Sequence, residues 1–118
     1  MYMHKFKELE IWKKSKSLCT DIYLATRLFP NEKRFGLTNQ LRRASVSVAS
    51  NIAEGSSRKS NKDFSRFLEI AMGSLYEIET QLLISTELDF ITSDAAFPLI
   101  NRIETLTKMI YRFQTTLK

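Results

Sequence analysis

The chain of 118 residues contains one cysteine, one histidine, three glycines and two prolines. Each scarcity excludes something. A lone Cys19 leaves no internal disulfide, and a lone His4 leaves no second imidazole for a paired site, so Cys/His zinc patterns are absent. No stretch approaches the roughly 18 apolar residues needed to span a bilayer. The opening "MYMHKFKELEIWKK" has no apolar segment before a cleavage site. A cytoplasmic protein with no membrane partner is the expectation.

Enzyme signatures are missing too. A di-iron bundle needs Glu-x-x-His pairs, and an all-α ribonuclease of the Arg-x4-6-His type needs a histidine after an arginine; neither occurs. "NIAEGSSRKS" has the flavour of a phosphate loop but lacks the Gly-Lys-Ser/Thr ending, the second glycine and a preceding strand. No catalytic residue, metal ligand or cofactor is expected.

What is present is an ordinary globular composition, 43% hydrophobic and 26% charged, suited to one domain over residues 1–118. The few glycines and prolines cut the chain into four long pieces. In the first, residues 7–28, Ile11, Ser15, Leu18, Ile22, Ala25 and Phe29 recur at three- and four-residue steps, and Pro30 and Gly36 then break the pattern. In the second, "RRASVSVASNIAEG" alternates like a strand only from Ser45 to Val48. The helical template instead gathers Leu41, Ala44, Ser45, Val48, Ile52 and Gly55 within an arc of about 100°. A helix is predicted over 38–54, with Thr38 as N-cap and Gly55 as its stop.

Ser60 followed by Asp63 has the spacing of a capping box and opens a third helix, 61–88, in which Phe64, Leu68, Ala71, Leu75, Ile78, Leu82 and Ser85 form a 4-3-4-3 seam. The fourth, 94–116, starts from Ser93 as N-cap and carries Leu99, Ile103, Leu106, Ile110, Phe113 and Leu117 on one stripe; Pro98 lies near enough to its start to be tolerated or to kink it mildly. Four amphipathic helices with short connections predict an all-α, antiparallel up-down-up-down bundle.

Two further patterns concern partners. Apolar residues lie beside the main stripes: Trp12, Cys19 and Tyr23 on the first helix, Val46, Ala49 and Ala53 on the second, Met72, Tyr76 and Leu83 on the third. They either widen the faces that each helix turns to two neighbours or serve self-association. The charge is also uneven. Of a net +5, residues 1–59 carry 12 Lys+Arg against 5 Asp+Glu, and residues 60–118 carry 6 against 8. Lys13, Lys16 and Arg27 face outward on the first helix with Lys14 nearby. Arg43 joins Ser47, Ser50 and Glu54 on the outer face of the second helix, with Arg42 on its flank, and Arg58 and Lys59 follow. As neighbours these cations would form a wall that holds RNA or DNA phosphates without reading sequence. Alternatively, Arg42 and Arg43 pair with carboxylates such as Glu32, Glu54, Glu69 or Glu77.

In this order, "FKELEIWKKS", "IYLATRLFPNEKRFGLTNQLRRASVSVASNIAEG" and "DFSRFLEIAMGSLYEIETQL" resemble the four-helix bundle protein family. It includes the proteins encoded in 23S rRNA intervening sequences and the accessory variability determinants of diversity-generating retroelements. The resemblance extends from Phe6 to Phe113, and Ser45 and Ser50 stand where alanine or proline is often seen. It implies a left-handed antiparallel bundle assembled as a homopentamer. For retroelement members it also implies a basic surface for nucleic acid and a reverse transcriptase partner. A net charge of +5 is modest for that role and leans toward the rRNA-insert type. The resulting expectation is a non-enzymatic scaffold binding nucleic acid through its basic first half; the rival is a module that recruits another protein.

Overall fold

The computed structural model describes residues 5–30 and 34–118, with only the backbone described at Arg34 and Phe35. Four helices follow one another: α1 Glu10–Thr26, α2 Asn39–Ser56, α3 Asn61–Glu87 and α4 Ser93–Thr115. A 3-10 turn, Phe6–Glu8, precedes α1, and a π-helical turn, Arg34–Thr38, leads into α2. No strand occurs among the described residues. Each helix packs on the next and α4 closes back on α1, giving an antiparallel bundle 49 Å long and 20 to 22 Å across.

The core is the set of stripes that the periodicity selects. Leu18 and Ile22, Leu41, Val48 and Ile52, Leu68, Leu75, Ile78 and Leu82, and Ile103 and Ile110 are all removed from solvent. Truncating any one of them to alanine removes about 2 to 5 kcal/mol, through lost transfer energy and the cavity left behind. On α1 the buried position near the end is Thr26 and not Ala25, which is half-buried. Polar residues within the stripes satisfy themselves locally: Ser15, Thr26 and Ser85 donate to the carbonyls of Ile11, Ile22 and Gln81 four residues back. A hydroxyl bonded in this way is buried without an unmet donor and keeps the helix slim.

The helix ends correct several expectations. Thr38 does not cap α2: it has helical dihedrals as the last residue of the π turn and its side chain makes no capping bond, so α2 is entered from an existing turn. Ser60 caps α3, its Oγ accepting from the Asp63 N–H at 3.1 Å. For α4 the cap is Thr92 and not Ser93, since the Thr92 Oγ1 accepts from the Ala95 N–H at 3.2 Å. Pro98 lies inside a continuous α4. Between α3 and α4, Asp89 adopts φ 60°, while the Phe90 and Asp89 N–H groups donate to the carbonyls of Ser85 and Thr86. These are the two bonds of a Schellman turn, with aspartate in the left-handed position where glycine is commonest.

Gly55 does not end α2. The helix runs on to Ser56, and no glycine has positive φ. Its role is steric: a Cβ there would lie 2.7 Å from the Phe67 Cβ and 2.8 Å from the Phe64 Cδ1. Glycine is required because α3 crosses against the α2 backbone at this point. Replacement by alanine raises helix propensity by about 1 kcal/mol, yet the clash dominates. Gly55→Ala is expected to destabilise the bundle by about 1 to 3 kcal/mol in chemical denaturation; an unchanged or raised midpoint would show that the helices separate freely.

Candidate nucleic-acid interface

The predicted cations do not form one wall. Arg42 turns inward along α1: its Nε donates to the Thr26 Oγ1 at 2.9 Å, its Nη2 to the Tyr23 carbonyl at 3.3 Å, and its guanidinium lies 4.7 Å from the Tyr23 ring centroid. It therefore binds the C-terminal turn of α1, where carbonyls lack helical partners and a cation is favoured. Among the described residues no carboxylate pairs with it; Glu32 lies outside them. Arg43, about 100° further round the helix, is exposed, with no acidic partner among the described residues.

The remaining candidates are spread around the bundle. Lys13 pairs with Glu10 at 3.7 Å, and the Lys16 ammonium sits 5.7 Å from the Trp12 ring centroid. Lys14 lies on the opposite flank of α1, lining a cleft with Leu18 and the α4 residues Asn101, Arg102 and Thr105. Arg58 pairs with Glu54 at 3.8 Å and lies over Phe67 at 4.7 Å. Arg27 and Lys59 are exposed. Ser47, expected to face outward, is half-buried at the α2/α3 seam, accepting from Ser74 and from Asn51.

A different order emerges along the bundle axis. Antiparallel packing brings the start of α1, the α2–α3 connection and the end of α4 together: Gly55 meets Phe64 and Phe67, and Gln114 on α4 donates to Ser65 on α3. That end collects Lys13, Lys14, Lys16, Arg58 and Lys59 from the first half of the chain. It also collects Lys62, Arg66, Lys108, Arg112 and Lys118 from the second half, whose sequence is net acidic, against Glu8, Glu10, Glu54, Asp63 and Glu69. The opposite end, where Phe29 packs on Phe90 at 5.8 Å, carries Glu77, Glu79, Glu87, Asp89 and Asp94 against Arg27, Arg42 and Arg43 among the described residues. The five cations from the second half are not apparent in the sequence because acids of the same half balance them in any count. Only the positions within each helix, early in α3 and late in α4, signal the segregation.

The apolar strips separate as well. Trp12, Cys19 and Tyr23 stand at four- and seven-residue steps along α1. They flank Val46, Ala49 and Ala53 of α2 at a seam marked by the Ser45 hydroxyl on the Cys19 Sγ and by Arg42 on Tyr23. Met72 and Tyr76 lie across the bundle, in a depression between α3 and α4 with Thr107 and Tyr111. Among the described residues no group of three or more His, Cys, Asp or Glu is placed to hold a metal ion, and no helix is long and apolar enough to cross a membrane.

The family model described as 23S rRNA-intervening sequence protein matches residues 7–112. The chain belongs to that family. The match takes in α1, α2 and α3 whole and α4 as far as Arg112, so most of the residues that build both ends of the bundle fall within the 23S rRNA-intervening sequence protein pattern, Gln114 and Lys118 lying beyond it. A crystal structure from Bacteroides thetaiotaomicron, described as a protein of unknown function from the S23 ribosomal protein family, superimposes with a TM-score of 0.82 at 24% identity. The likeness covers 88% of this chain and 97% of that one, and at that identity it concerns the fold. No curated protein matches the chain.

The two adjacent arginines give a direct test of the geometry. Arg42→Ala removes two charge-assisted hydrogen bonds and a ring contact, and is expected to cost about 1 to 2 kcal/mol of stability. Arg43→Ala stays within about 0.5 kcal/mol, as for an exposed residue. Equal denaturation midpoints for the two variants would refute the inward role of Arg42.

Proposed function

We propose that this chain is a non-enzymatic homo-oligomeric scaffold that binds RNA or DNA without reading sequence, through the cations gathered at one end of the bundle. The observation that carries the reading is the axial segregation of charge. In α3 the first turn holds Lys62 beside Asp63, which pairs with Arg66, whereas the last turn holds Glu87 and no cation, although the helix dipole favours positive charge there by about 0.3 to 1 kcal/mol. A one-sided cluster of Lys and Arg is the footprint of phosphate binding.

The test is fluorescence anisotropy with a labelled RNA across a salt series. The logarithm of affinity is expected to fall linearly with that of salt, losing about 0.7 to 0.9 of a decade per decade of salt for each phosphate neutralised. Lys62→Glu with Lys118→Glu weakens binding to all sequences alike, and Arg43→Glu at the other end has little effect. Salt-insensitive binding, or none at low ionic strength, refutes the proposal.

Self-association is assigned to the strip of Trp12, Tyr23, Val46, Ala49 and Ala53, in keeping with the homopentamer that the resemblance implies. Val46 is 43% exposed, so placing a charge there leaves the bundle intact while disfavouring burial against another subunit. Light scattering is expected to show a multiple of 13.7 kDa for the native chain and a drop toward the monomer for Val46→Glu. An oligomer unaffected by that change removes the strip from the interface.

A further inference from the structure

Tyr76 and Tyr111 are 62% and 60% exposed, among the most solvent-accessible large side chains described. They line one depression at the α3/α4 seam with Met72, Lys108 and Arg112. Lys108 and Arg112 stand one helical turn apart, and neither takes part in any of the ion pairs among the described residues. Two wet aromatic rings beside two cations outside those ion pairs are not core packing. Tyrosine offers a flat π-face to a base, and the cations offer charge to a phosphate; alternation of the two is the recognition chemistry of single-stranded nucleic acid.

We propose that the α3/α4 groove is a single-strand binding groove, in which bases stack on Tyr76 and Tyr111 while Lys108 and Arg112 hold the intervening phosphates. This rests on the nucleic-acid reading above and narrows it from polyanion to single strand. Carboxylates flank the groove on both sides, Glu79 and Glu104 beside Tyr76 and Lys108 and Glu69 beside Tyr111 and Lys118, so phosphate is favoured between the two rings, at Lys108 and Arg112. A duplex keeps its base faces stacked on one another and offers the rings nothing, so the groove discriminates by strandedness and not by sequence. It lies across the bundle from the α1/α2 strip, and self-association through that strip leaves it open.

The test compares fluorescein-labelled oligouridylate of about 15 nucleotides with an RNA duplex of equal length, by anisotropy at low salt. The native chain is expected to favour the single strand. Tyr76→Ala with Tyr111→Ala lowers single-strand affinity by about tenfold or more and leaves duplex affinity unchanged, whereas Tyr76→Phe with Tyr111→Phe keeps both, because the ring and not the hydroxyl carries the contact. Circular dichroism and thermal unfolding check that the variants fold, as the exposure of both rings leads one to expect. Salt-sensitive binding that persists unchanged in the alanine variant overturns the groove and leaves the broader nucleic-acid reading standing. Equal loss for single strand and duplex also overturns it, as does a change of oligomeric mass with unchanged affinity, which makes the groove a subunit contact. Absence of binding to either probe overturns both readings.

Discussion

The close approach of α2 and α3 is the constraint from which the remaining geometry follows. Three contacts set their register: Gly55 against Phe64 and Phe67 at one end, the Ser74 hydroxyl on Ser47 at 3.0 Å in the middle, and the Gln81 amide on the Gln40 oxygen at 3.0 Å at the other. Each depends on a small or polar residue on α2 where a large apolar one would hold the helices apart. A slip by one turn would bring a side chain onto the glycine and separate both polar pairs, leaving buried groups unsatisfied. With α2 and α3 locked, the Arg58–Lys59 connection is short and its charges are held at one end. The start of α3 is then obliged to lie beside the end of α2, which carries Lys62 and Arg66 to the same place.

The axial charge order is a product of topology acting on local sequence. Neither half of the chain shows it alone: the first half is basic throughout, and the second is slightly acidic as a whole. Because α3 begins with its cations and α4 ends with its own, antiparallel pairing superposes the two cationic segments and the two acidic ones. In α4 this order agrees with the helix dipole, with Asp94 in the first turn and Arg112 in the last; in α3 the first turn holds both Lys62 and Asp63, and only the cation-free last turn goes against it. The charge order along the bundle axis therefore comes from the antiparallel packing of the two helices more than from the dipole of either.

Much of the architecture was legible from spacing. The four stripes, the Ser60 cap and the antiparallel order all rest on periodicity and on short-range chemistry, which a single chain displays in full. Less legible was anything decided by a neighbouring helix. Gly55 reads as a helix stop because glycine usually supplies left-handed dihedrals there; that it supplies room for two phenylalanines is visible only once α3 is in place. Thr92 and Ser93 are equally good caps by type, and one residue of phase separates them. Trp12, Tyr23, Val46, Ala49 and Ala53 lie at the α1/α2 seam, whereas Met72 and Tyr76, grouped with them by pattern, lie across the bundle.

Arg42 and Arg43 show how one residue of helical phase divides chemistries. Both sit on the side of α2 away from the core centre. Yet the 100° step between them turns one guanidinium onto the carbonyl of Tyr23, which also accepts from the Thr26 hydroxyl, and the other into solvent. Arg42 supplies what α1 lacks at its C-terminus, where no lysine, arginine or histidine falls within the last turn, and so completes one helix from the next. A cation committed in this way has its Nε and one Nη2 N–H engaged and its face over a ring, which leaves it less to offer a phosphate. Binding through charge in this bundle falls to cations whose neighbours do not already claim them, and Lys108 and Arg112 meet that condition beside Tyr76 and Tyr111.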